Sequence, residues 1–144
     1  LPLAEAEQAL KAGAKYLVSP SFEEVVVQFA KKEGGVSIPG AATPTEIYRA
    51  YAAGGDVIKL FPYVELGGHS FLKAIRGPFP QIPCMLCGGA NLENINGYLE
   101  MDAAAILIGA AIIKKDLVAA KDWKGIKGLA RSFVTQVEAF RKKT

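Results

Sequence analysis

Apolar residues recur at helical spacing in several segments of the chain, and polar residues fill the positions between them. The first segment runs from Leu3 to Gly13, where the glycine is a natural helix stop. Ser21 is a candidate N-cap for the next, and Thr43 begins a third with Pro44 and Glu46 in capping-box positions. The pattern predicts helices over residues 3–12, 22–32, 44–53 and 70–75, a helix that starts at Asn91 or Asn94 and runs to about Glu100, a short helix after the last strand, and a longer one over 123–141. Tyr48, Tyr51 and Trp123 are expected to pack on helix faces.

Short, nearly continuous apolar runs lie between these helices and are typical of buried strands. The runs end 19, 23, 26 and 21 residues apart, at Pro20, Pro39, Pro62, Gly88 and Gly109. Alternating strands and helices predict an α/β protein with a parallel sheet. Two architectures fit five such units: an open doubly wound sheet, or the last five units of a TIM (β/α)8 barrel whose first three strands precede Leu1.

Composition narrows the class of protein without identifying a function. The chain has 144 residues, which suits one domain over 1–144, and a net charge of +3 from scattered residues, which argues against nucleic-acid binding. No apolar run is long enough for a membrane span. Cys84 and Cys87 have an odd spacing in a predicted strand, so they point to opposite faces and are expected to be free thiols. Free thiols and the lack of a secretory signal favour a reducing compartment such as the cytoplasm. The chloroplast stroma is a second expectation, which comes from an overall similarity of the pattern and not from these residues.

The most informative strand contains a lysine within an apolar run, Asp56-Val57-Ile58-Lys59-Leu60-Phe61-Pro62. Lysine is rarely buried without a partner or a function. Burial disfavours the ammonium form and lowers the pKa, which leaves more free amine to attack a carbonyl. Lys59 is therefore a candidate Schiff-base nucleophile, although it could also cap a sheet edge or extend to solvent.

Small residues follow the last two strands, where they would let backbone N–H groups approach an anion with a helix N-terminus behind them. These residues are Gly88 and Gly89 after one strand and Gly109 and Ala110 after the next. In a βα barrel, such loops often bind phosphate and catalytic groups project from the carboxyl ends of the strands. The chain has no dinucleotide or P-loop glycine motif.

Five motifs in order resemble the 2-keto-3-deoxy-6-phosphogluconate (KDPG) aldolase family. They are Val18-Ser19-Pro20, Ile38-Pro39-Gly40-Ala41-Ala42-Thr43, Ile58-Lys59-Leu60-Phe61-Pro62, Gly77-Pro78-Phe79-Pro80 and Gly88-Gly89. The resemblance implies a class I aldolase of the barrel fold, without metal or cofactor, with Lys59 as the imine-forming lysine. It places Pro39, Gly40 and Thr43 at the pyruvate end of a phosphorylated keto acid, with Phe61 and Cys87 as further substrate-binding residues. It places Gly88, Gly89, Gly109 and Ala110 around the phosphate.

Three departures from the family pattern leave a second hypothesis open. Cys87 replaces a threonine, Ala111 replaces a serine, and the general acid/base glutamate belongs to strands ahead of those seen here. We therefore expect an N-terminal third carrying that glutamate, with Glu65 as a possible substitute. The alternative is a non-catalytic, aldolase-like structural subunit. The resemblance also implies a homotrimer, with Phe61 and Phe79 as candidate contact residues. His69 is expected to be a solvated loop residue.

Overall fold

The computed structural model describes residues 2–142, which form helices and strands in alternation. The elements in chain order are α1 (Leu3–Lys11), β1 (Tyr16–Val18), α2 (Glu24–Lys32), β2 (Val36–Ile38), β3 (Gly40–Ala41), α3 (Pro44–Ala52), β4 (Ile58–Leu60), α4 (Gly68–Arg76), β5 (Cys84–Cys87), α5 (Ile95–Leu99), β6 (Ala105–Leu107), α6 (Lys115–Ala119) and α7 (Trp123–Arg141).

All strand pairs are parallel, and the strands are ordered as in the sequence. β1 pairs with β2, and β3, β4, β5 and β6 form a second sheet in that order. Only Pro39 separates β2 from β3, and proline has no N–H to donate to a ladder. Two hydrogen bonds cross this break, from the Asp56 N–H to the Ser37 carbonyl and from the Lys59 N–H to the Pro39 carbonyl, each 2.9 Å. The two sheets therefore continue each other as one arc.

The sequential order separates the two architectures that the sequence left open. A doubly wound sheet reverses its strand order at a switch point. Within residues 2–142 there is no such reversal, and β1 and β6 each pair with one neighbour. The arc therefore has the order of a βα-barrel wall, and the doubly wound alternative is wrong.

The central strands have one face in the main hydrophobic core and one face outside it. Ile58, Leu60, Cys84 and Leu86 belong to the core cluster, together with Ile47, Leu72 and Ile75 of the covering helices. Lys59 and Met85 alternate with them and therefore face the other way. We call these the helix face and the inner face of the sheet. A second, smaller cluster of Ala6, Leu17, Val26 and Ala30 lies under α1 and α2.

The helix predictions were confirmed in their order and corrected in detail. The Thr43 capping box is present, whereas α2 begins at Glu24 after Glu23, so Ser21 is not its N-cap. Helix α4 begins at Gly68, two residues before the predicted start. The packing predicted for Tyr48, Tyr51 and Trp123 is wrong, because all three are exposed, and Ile47 and Ala50 turn α3 towards the core instead. No helix in residues 2–142 is long and apolar enough to cross a membrane.

Candidate active site

Lys59 lies in the middle of β4 and is 9% exposed, so the burial predicted from the sequence is confirmed. Its Nζ atom is 4.8 Å from the centroid of the Phe61 ring, a favourable distance for a cation–π contact. Lys31 and Asp56, 2.6 Å apart, form the one ion pair among the described residues. Lys59 is therefore a buried amine with an aromatic neighbour and, within that part of the chain, no carboxylate partner.

Gly40 is the register partner of Lys59 on one side, and Met85 is its partner on the other. A Cβ atom on Gly40 would collide with the Pro20 carbonyl and lie 2.8 Å from the Ser19 carbonyl oxygen. Only glycine fits there, because two backbones approach closely next to the lysine. Pro39 is buried and accepts the Lys59 N–H. The structure thus places Pro39 and Gly40 beside the lysine, and their predicted contact with pyruvate stays a prediction.

Thr43 caps α3 and lies at the surface. Its hydroxyl accepts the Glu46 N–H at 3.3 Å, and the Glu46 carboxylate accepts the N–H groups of Ala42 and Thr43, both at 2.9 Å. The bond from Ala42, followed by the Thr43 side chain, lowers the pKa of Glu46 against the opposing effect of burial. The structure therefore gives the Thr43 hydroxyl a capping role, and its predicted contact with substrate stays a prediction.

A cleft of about 280 Å³ lies between the loops that follow β5 and β6. Its lining includes Cys87 and all four residues predicted to bind phosphate: Gly88, Gly89, Gly109 and Ala110. Gly88 and Gly89 have φ values of 121° and 76°, which side chains rarely adopt. The next helices, α5 and α6, are five residues long and begin at Ile95 and Lys115, so a helix N-terminus that acts on an anion in the cleft stays a prediction.

The two cysteines are free and occupy different environments. Cys84 belongs to the core cluster on the helix face, and burial raises the pKa of its thiol to about 11. Cys87 lies outside that cluster and lines the cleft. The predicted opposite orientation of the two side chains is therefore confirmed.

The sequence did not predict a cluster of two tyrosines and a histidine behind the cleft. Tyr63 is fully buried, and its hydroxyl is 2.9 Å from His69 Nδ1. The Tyr98 hydroxyl donates to the Gly88 carbonyl at 2.8 Å. Burial, followed by the charge of Tyr98, raises the pKa of Tyr63 to about 12. His69 lies in α4, so its assignment as a solvated loop residue is wrong.

Aromatic side chains are also exposed outside the cleft. Tyr48 and Phe79 stack with ring centroids 5.8 Å apart, although Tyr48 remains 53% exposed. Phe61 is 38% exposed. Glu65 is also exposed, and its charge adds to burial in raising the pKa of Tyr98.

The fold and these motifs match known proteins over most of the chain. The family model described as "KDPG and KHG aldolase" matches residues 2–129. The 2-dehydro-3-deoxy-phosphogluconate aldolase of Pseudomonas aeruginosa is 34% identical over 93% of this chain and 61% of its own length. The KHG/KDPG aldolase of Escherichia coli is 31% identical over 88% and 60%, respectively.

A solved structure of KDPG aldolase from Legionella pneumophila, with pyruvate captured as a covalent carbinolamine intermediate, superposes with a TM-score of 0.81. The two sequences are 28% identical, and the match covers 90% of this chain and 63% of the Legionella pneumophila chain. The chain thus spans about three fifths of the length of the curated relatives that it matches. By the family-model match over most of its length, the chain belongs to the KDPG and KHG aldolase family.

Proposed function

We propose that this protein is a class I aldolase that cleaves 2-keto-3-deoxy-6-phosphogluconate to pyruvate and glyceraldehyde 3-phosphate. The observation that carries the proposal is the buried Lys59 amine on the inner face of the sheet, without a carboxylate partner among residues 2–142. A carboxylate beside it would hold the nitrogen as an ammonium ion, which cannot attack a carbonyl. The covalent pyruvate intermediate captured in the Legionella pneumophila enzyme supports the same chemistry.

The chemical steps follow from an amine at this position. The Lys59 Nζ atom attacks the C2 ketone, and loss of water gives a protonated imine. The C3–C4 bond then breaks, its electron pair moves towards the imine to give an enamine, and the C4 hydroxyl loses its proton as the aldehyde forms. Protonation at C3 and addition of water release pyruvate and restore the amine. The proton of the C4 hydroxyl needs a general base. The family resemblance assigns that role to a glutamate on an earlier strand, with Glu65 as the alternative in this chain.

The neighbouring residues suit the two ends of this substrate. Pro39, Gly40 and Thr43 would lie at the pyruvate end, and Phe61 and Cys87 would also contact the substrate. The cleft lined by Gly88, Gly89, Gly109 and Ala110 would hold the phosphate. Glycines with positive φ and no Cβ let backbone N–H groups approach an anion closely. Neither Cys87 nor Ala111 offers the hydroxyl of the family pattern, so backbone groups would carry most of the polar contacts.

The assembly belongs to the same proposal. We propose that the arc of strands is the last part of an eight-stranded barrel, because its strand order is sequential and the matched relatives are longer. The exposed Tyr48, which stacks on the partly buried Phe79, and the exposed Phe61 would lie at contacts in a homotrimer. Light scattering of the full-length protein should give a mass of three subunits, and a monomeric mass at working concentration would exclude the trimer. The cytoplasm stays a prediction, and the bacterial relatives give the chloroplast no support.

Borohydride trapping with pyruvate tests the lysine directly. We expect the full-length protein, incubated with pyruvate and then reduced, to carry an adduct on Lys59 in peptide mass spectrometry. Lys59→Met should abolish the adduct. Lys73→Met is the matched control, because Lys73 is exposed on α4 and its loss should leave the Lys59 adduct unchanged.

A folded full-length protein that gives no adduct would contradict the proposal. The non-catalytic structural subunit would then be the better assignment, consistent with the changes at Cys87 and Ala111. If the protein formed an adduct with pyruvate but did not cleave the phosphorylated substrate, Lys59 would still be assigned as the nucleophile, and a different substrate would have to be sought.

A further inference from the structure

Two side chains hold the loop that follows β5 from the same direction. The Tyr98 hydroxyl donates to the Gly88 carbonyl at 2.8 Å, and the Asn94 Nδ2 atom donates to the next carbonyl, that of Gly89, at 2.9 Å. Asn94 is itself fixed, because its Oδ1 atom accepts the Asn91 N–H at 2.8 Å. Two consecutive peptide groups of the loop are therefore oriented by α5 and by the residue before it.

The orientation of these carbonyls determines where the N–H groups point. In a planar trans peptide, the C=O and N–H groups point in opposite directions. With the Gly88 and Gly89 carbonyls turned towards α5, the N–H groups of Gly89 and Ala90 point away from that helix. Neither N–H donates a hydrogen bond to any residue within 2–142. Gly89 and Ala90 line the cleft, to which α5 contributes no residue.

Tyr98 is held firmly enough to act as a positioning group. Its ring lies 5.5 Å from the Tyr63 ring and 5.1 Å from the His69 ring, which meets it edge-on. Tyr63 is fully buried and its hydroxyl is within hydrogen-bond distance of His69, so Tyr98 packs against a buried, hydrogen-bonded ring pair. The loop is also confined, because a Cβ atom on Gly89 would collide with Val64 and lie 2.9 Å from the Tyr98 oxygen.

We propose that Tyr98, together with Asn94, is a positioning residue that aims the N–H groups of Gly89 and Ala90 at a phosphate oxyanion in the cleft. The inference rests on the proposed function, in which this cleft holds the phosphate end of the substrate. It also explains how the loop could bind an anion although no charged side chain lines the cleft. The donors would be backbone N–H groups, whose direction is fixed by the hydrogen bonds from Tyr98 and Asn94 to the loop carbonyls.

An NMR titration of the full-length, ¹⁵N-labelled protein with inorganic phosphate tests this directly. We expect phosphate to shift the amide resonances of Gly89 and Ala90. Tyr98→Phe keeps the ring packing and removes only the hydroxyl, so it should weaken phosphate binding about fivefold, which corresponds to about 1 kcal/mol. Asn94→Ala should weaken binding to a similar extent. Tyr51→Phe is the matched control, because Tyr51 is an exposed residue of α3 that does not line the cleft, and it should leave binding unchanged.

The proposed function is measured separately in the same variants. Pyruvate carries no phosphate, so Tyr98→Phe should still form the Lys59 adduct at the wild-type level. Phosphate binding by Tyr98→Phe equal to that of the wild type would overturn the inference, as would wild-type Gly89 and Ala90 amides that do not respond to phosphate. In either case, an intact Lys59 adduct would leave the proposed lysine chemistry standing.

Discussion

The two faces of the central strands have different roles, although the same backbone carries both. On the helix face, Ile58, Leu60 and Leu86 are fully buried against apolar side chains of the covering helices. On the inner face, one residue along, stand Lys59 and its register partner Gly40, which has no side chain at all. The helix face contributes the stability expected of close apolar packing. The inner face has less apolar packing at this point, because it holds the Lys59 amine and the Gly40 backbone, which closely approaches the Ser19 and Pro20 carbonyls.

The largest expected effect contrasts neighbouring residues of β4. Leu60→Ala removes a fully buried side chain and should lower the free energy of unfolding by about 2–5 kcal/mol. Lys59→Met keeps a similar volume and replaces a buried amine with an apolar group, so it should change stability by less than about 1.5 kcal/mol. Chemical denaturation of the full-length variants measures both. A loss at Lys59→Met as large as at Leu60→Ala would make the lysine a structural residue.

A smaller loss of stability is expected at Gly40, where two backbone segments approach each other on the inner face. Gly40→Ala places a methyl group against the Ser19 and Pro20 carbonyls and should cost roughly 1–3 kcal/mol through overpacking. Gly128→Ala is the matched control, because no atom lies within 4 Å of the new Cβ atom and the site is inside α7. It should stabilise the protein by about 0.5–1 kcal/mol through helix propensity. If Gly40→Ala were as stable as the wild type, the fold would not require glycine at this position, and only substrate binding could require it.

Local signals in the sequence were sufficient for most of the fold. The apolar run around Lys59 predicted a buried strand, and the Thr43–Glu46 spacing predicted a capping box, because both depend on residues close together in the chain. The aromatic residues of α3 gave a wrong prediction, since Tyr48 and Tyr51 have the helical spacing of a core stripe yet lie beside the buried Ile47 and Ala50. Periodicity shows that a helix has a face and leaves open which neighbouring stripe packs inward.

The candidate site was predictable only where motif and chemistry coincide. Lys59, the Gly88-Gly89 pair and Gly109 could be proposed from the sequence because each follows or occupies a strand in a recognisable pattern. Tyr63, His69 and Tyr98 were missed, because Tyr63 meets Tyr98 only after two βα units have packed together. A tyrosine in a helix gives no sign in the sequence that its hydroxyl will reach a carbonyl ten residues earlier.

The sequential order of the strands bears on how the chain folds during synthesis. Each strand pairs with the strands next to it in the sequence, so pairing β3 to β4 or β5 to β6 closes only one short crossover at a time. Within residues 2–142, no strand pairs with a strand that is distant in the sequence, and no connection has to pass another strand. The arc can therefore grow one unit at a time as the ribosome delivers it, and each added strand protects the hydrogen-bonding edge of the strand before it.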